Sequence, residues 1–138
     1  MSINRVAAWV SAAAVLIAVI AGFIISGSPS ERRLERLDER RVSDLKQLSW
    51  AVDAYRDQRG DLPDDLMELV DGRRLSQLPV DPVTRLPYAY QPLPPDRYRL
   101  CAIFELASEA TDQEQFWAHP GGQHCYEFEV AERARRAP

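Results

Sequence analysis

The chain has 138 residues, with 17 basic and 21 acidic side chains and a formal net charge of −4. Charges of both signs are interspersed, so there is no basic field to gather nucleic acid, and a nucleic-acid partner is not expected. The sequence contains no Gly-rich phosphate loop, Gly-x-Ser-x-Gly elbow or His-Glu-x-x-His pair, so neither catalysis nor a cofactor is expected.

Residues 6–25, from Val6 to Ile25, carry no charge. At 1.5 Å per residue such a helix spans roughly 30 Å, the hydrocarbon thickness of a bilayer. Residues 1–27 therefore read as a membrane anchor in contact with lipid through residues 6–25, with Trp9 suited to the interface. A cleaved signal peptide beginning at Arg5 is the competing reading, although its apolar region usually runs only about 7–15 residues. Orientation signals conflict. Arg32, Arg33, Arg36, Arg40 and Arg41 follow the anchor and only Arg5 and the amino terminus precede it, which favours a cytoplasmic head. The cysteines discussed below favour the opposite side.

Ser28-Pro29-Ser30-Glu31 has the form of a helix start, with Ser28 as cap, Pro29 in the first turn and Glu31 completing a capping box. Leu34, Leu37, Leu45, Leu48, Val52 and Tyr55 then recur at helical steps with a gap around Arg41 and Val42. The spacing predicts a stalk helix over 28–60, ended by Gly60. The stripe thickens only from Val42 onward, so the charged residues 30–41 are expected to be a solvated spacer, with a coiled coil as the alternative.

Residues 61–130 form the expected head. Asp61 to Val70 predicts a turn and a short helix starting at Pro63 or Asp64, with Leu66, Leu69 and Val70 inward and the Asp64–Asp65 carboxylates serving as caps. Asp81-Pro82 to Tyr88-Ala89-Tyr90 predicts a proline turn entering a first strand. The Gly60-Asp61-Leu62-Pro63 step, Leu66 and Leu69, Asp81-Pro82 and Tyr88-Ala89-Tyr90, following a long helix, resemble the heads of type II secretion pseudopilins and type IV pilin-like proteins. This resemblance covers roughly residues 42–101. It implies an α+β fold in which a long amphipathic helix packs on a small antiparallel sheet, behind an N-terminal transmembrane helix. It also implies a single-pass protein of the bacterial inner membrane with a periplasmic head. The amino end departs from the family, whose prepilin-peptidase site precedes the hydrophobic segment. Here Gly22-Phe23 lies near the segment's end, and Gly27 stands where the family has Glu.

Residues 91–96 read as a proline-rich hairpin loop. Tyr98, Leu100, Ala102 and Phe104 then alternate with Arg99, Cys101 and Ile103, and Tyr126, Phe128 and Val130 alternate with Cys125, Glu127 and Glu129. Both aromatic sets face the helix. Cys101 and Cys125 share the opposite face of neighbouring antiparallel strands, where a disulfide is expected. Such a bridge places the head in an oxidising compartment. The insert between them, 106–124, contains Phe116, Trp117 and His119; Phe116 and Trp117 are expected to pack as a lid on the sheet, with an interaction surface of Phe116, Trp117 and His119 as the alternative. His119, His124 and Cys125 lack a further ligand at zinc spacing, so no metal is expected. Residues 131–138 read as a mobile tail. The expected role is structural or protein-binding, with an unidentified protein partner. A pseudopilin-like subunit of a secretion or pilus assembly and a ligand-sensing envelope module are the alternatives.

Overall fold

A computed structural model describes residues 3–25, 28–108 and 115–130, so the expected tail at 131–138, the Ser26-Gly27 break and the polar part of the insert lie outside the described residues. The chain divides into two compact units, Met1–Arg33 and Leu34–Pro138.

In the first unit, α1 spans Ile3–Ile25. Its window Arg5–Gly22 has a mean hydropathy of 2.0 and none of it is buried against protein, which makes it long and apolar enough to cross a membrane. The second helix, α2, spans Pro29–Arg59. It starts as its sequence dictates, since the Ser28 hydroxyl accepts the Glu31 N–H at 3.2 Å. It stops at Gly60, whose φ of +88° only glycine adopts without strain and whose N–H reaches the Arg56 carbonyl at 2.7 Å.

The second unit is α+β. Strands β1 (Ala89–Leu93), β2 (Arg97–Phe104) and β3 (Gly122–Glu129) form one antiparallel sheet in sequence order. Pro92 sits within β1 rather than in the hairpin loop. That position is tolerated because β1 is an edge strand whose proline has no ladder bond to lose on its open side. The expected short helix is a single 3-10 turn, Leu66–Leu69, and its cap is Asp65 rather than Asp64 or Pro63. Asp65 takes the Met67 N–H while Glu68 reaches back to the Asp65 N–H, so the capping box selects this position. The turn that follows holds Gly72 at φ +74°, with the Asp71 carboxylate accepting the Arg73 and Arg74 N–H groups.

The core lies between α2 and one face of the sheet. Leu45, Leu48 and Val52 of the helix and Tyr98 and Leu100 of β2 are fully buried, closed by Leu69, Leu75, Phe104, Tyr126 and Phe128. Tyr98 stacks on Phe128 with ring centroids 5.0 Å apart. The alternation in β2 and β3 is as the sequence predicts. Cys101 and Cys125 oppose one another in register on the other face and are bonded.

The charged first half of α2 is only partly a spacer: residues 30–33, 35, 36, 39 and 40 are exposed, but the stretch also carries buried charges. Asp38, Arg41 and Asp44 are buried, and Leu34 already belongs to the second unit. These polar residues fall at three-residue steps that continue the Leu45–Leu48 stripe, so the same helix face faces inward and brings its charges with it. Closing a loop of 24 residues, the disulfide should stabilise the second unit by about 3 kcal/mol. Urea unfolding of the full chain with and without reductant measures this, and Cys101→Ala with Cys125→Ala should match the reduced wild type.

Candidate functional site

Among the described residues, the most elaborate constellation is built on a buried cation. Arg41 is 2 % exposed. Its Nε donates to Asp81 Oδ2 at 2.6 Å, its Nη1 to Asp38 Oδ1 at 2.7 Å, and its Nη2 lies 3.7 Å from Glu105 Oε1. One planar guanidinium thus joins α2, the turn before β1 and the end of β2, as its rigid fork of donors allows and a lysine's point charge does not. Each buried partner has further donors. Asp38 accepts the N–H groups of Glu105 and Leu106 at 2.9–3.1 Å, where β2 leaves the sheet. Asp81 Oδ1 accepts the Val83 and Thr84 N–H groups at 2.9 and 2.8 Å, which closes the Asp81-Pro82-Val83-Thr84 turn. Arg85 completes that turn with φ at +61°.

The electrostatics follow from this geometry. Burial alone raises the Asp81 pKa. The Arg41 hydrogen bond and the two turn N–H groups outweigh it and carry the group down to about 2. Burial likewise works to lower Arg41, yet its bonds to Asp81 and Asp38 hold it above its ordinary value. Next along α2, Asp44 Oδ2 accepts the Tyr88 hydroxyl at 2.9 Å, and burial followed by that carboxylate pushes the phenol upward. The hydrogen bonds hold these groups in fixed pairs, and the arrangement acts as a clasp between segments.

The second feature is the aromatic insert. Phe116 and Trp117 lie in a short 3-10 turn, Gln115–Trp117, and pack on Tyr126 and Phe128 of β3 at centroid distances of 4.9–5.9 Å. The Tyr126 hydroxyl donates to the Trp117 carbonyl at 2.8 Å, and Lys46 Nζ of α2 lies 5.4 Å from the Trp117 ring centroid. Phe116 remains 54 % exposed, while Trp117 is half-buried. His119 does not reach the surface: it is buried, stacked on Phe104 at 3.6 Å between centroids, because the insert turns inward after Trp117. Its N–H and carbonyl exchange hydrogen bonds with Ser108, which closes the base of the insert. Cys125 is bonded to Cys101, so it offers no thiolate to a metal.

Sequence reasoning missed Asp38, Arg41 and Asp81 as a set. The signal was present in the helical register, since Asp38 and Arg41 precede Leu45 and Leu48 on one face. Trp50 was missed as well; it is 72 % exposed on α2, one helical turn beyond Lys46.

Replacing Arg41 with Met leaves two buried carboxylates facing one another and should cost about 3–5 kcal/mol. Asp81 has a lowered pKa in the folded state, so its stabilisation is fully present above its ordinary value of 3.8 and is lost as pH falls toward about 2. The urea midpoint should decline across that window, and Asp81→Asn should flatten the decline. No family model, curated protein or solved structure matches this chain.

Proposed function

We propose that this chain is a membrane-anchored, pilin-like envelope protein without catalytic activity, which acts by holding a protein partner on an aromatic edge made by α2 and the insert. The observation that carries the reading is the exposure of two large aromatic side chains on neighbouring elements: Trp50 at 72 % and Phe116 at 54 %. Lys46 and Trp117 tie those elements together. Exposed large aromatics are among the side chains that dominate protein interfaces, where they bury large areas at low entropic cost. The apolar α1 supports the anchor, and the Cys101–Cys125 bond supports a head on the oxidising side of the membrane. The position of Gly22-Phe23 supports retention of the anchor without prepilin-type processing.

A photocrosslinker at Gln47, an exposed α2 residue three positions from Trp50, should give a discrete protein adduct in native membranes. The adduct should disappear in the Trp50→Ser, Phe116→Ser double variant, which should remain folded with an unfolding free energy lowered by about 1–2 kcal/mol through the lost Phe116 contacts with Tyr126 and Phe128. An undiminished adduct in the double variant overturns the reading.

A further inference from the structure

Away from the aromatic edge, and independent of it, a depression of about 250 Å³ opens between the 3-10 turn and the entry to β1. Leu66, Leu78, Pro87, Tyr88 and Tyr90 give it apolar and aromatic walls, the largely exposed Met67 stands at its margin, and Asp64 and Asp65 bring carboxylates to it. Asp65 commits one oxygen to the Met67 N–H, while Asp64 is exposed. The Tyr90 hydroxyl is spent on the Pro63 carbonyl at 2.9 Å, which holds its ring in the wall.

The same fold shows what this combination of groups attracts. Beside the depression, the Tyr55 hydroxyl is bonded to the Glu68 carboxylate, and the guanidinium groups of Arg59 and Arg74 lie over the Tyr55 ring at 5.3 and 5.2 Å from its centroid. Tyr90 and Asp64 likewise bring a ring and a carboxylate to the depression, though the Tyr90 hydroxyl is bonded to Pro63 and not to Asp64, and among the described residues no guanidinium lies over Tyr90. The local field is negative. After burial, the Asp64 and Glu68 carboxylates are what push the Tyr90 phenol upward. We propose that this depression receives the arginine side chain of a protein partner, the planar guanidinium lying against the Tyr90 wall and donating to Asp64 and Asp65. Arginine fits better than lysine because a flat, weakly hydrated cation stacks on an aromatic wall and pairs with carboxylates at once.

Met67 is the one methionine besides Met1, so methyl-labelled methionine gives the full chain in detergent a reporter at the margin of the depression. Titration with the peptide acetyl-Gly-Arg-Gly-amide should move the Met67 methyl resonance saturably, while the citrulline counterpart, which has the same shape without the charge, should not. Asp64→Asn with Asp65→Asn keeps a capping side chain at 65 and should weaken the arginine peptide by about five-fold. Absence of movement, equal movement with the citrulline peptide, or unchanged affinity in the double variant each overturns the proposal. None of these outcomes bears on the crosslink at Gln47, so the two readings fail separately.

Discussion

The second unit depends on one buried guanidinium. Arg41 draws the first half of α2, the Asp81 turn and the end of β2 onto a single planar group, and each carboxylate it holds organises a backbone segment in turn. Buried ion pairs carry a large desolvation cost and contribute little when compared with a well-packed apolar replacement. Their value lies in specificity, because any register of α2 that moves Arg41 out of place strands Asp38 and Asp81 in a poorly solvated interior. The clasp thereby selects one seating of the helix on the sheet, where leucines alone would tolerate several.

The same logic governs the tyrosines. All five hydroxyls have a partner at a boundary between elements: Tyr55 on Glu68, Tyr88 on Asp44, Tyr90 on the Pro63 carbonyl, Tyr98 on the Ser49 carbonyl and Asp53, and Tyr126 on the Trp117 carbonyl. A small head has little interior volume, and an aromatic ring that fills space while its hydroxyl satisfies a polar group on the next element serves both needs. Burial pushes Tyr126 up to about 12, and Tyr88 and Tyr90 are raised as well, so these bonds persist across the physiological range. The disulfide fastens the opposite face of the sheet, where Ile103 is exposed. The unit is thus held by apolar packing on one face and by a covalent tie on the other.

Against this economy, the large apolar groups left in solvent stand out. Trp50 on α2 is 72 % exposed, and Phe116, although it packs on Tyr126 and Phe128, remains 54 % exposed. The depression at Tyr90 is of a different kind, concave and acid-rimmed, so the two surfaces suit different chemistries on a partner: flat apolar contact at one, a single cation at the other.

The sequence by itself determined most of the elements. Residues 6–25 carry no charge, Ser28 and Gly60 bracket α2, the alternation from Tyr98 to Phe104 and from Tyr126 to Val130 sets the faces of the strands, and the parity of Cys101 and Cys125 puts them opposite one another. All of these follow from local periodicity and capping, which short stretches of chain encode without help from the rest. Only the tertiary structure decided which charges would be buried. The helical register sets Asp38 and Arg41 on the Leu45–Leu48 face and Arg32 and Arg36 off it, but the groups that satisfy the first pair lie 40 residues or more downstream, at Asp81 and Glu105. The same holds for His119, drawn inward by Phe104, and for the depression, whose walls come from the 3-10 turn and from the approach to β1. Burial of a polar group is a property of the assembled partners that satisfy it, so no window along the chain contains it.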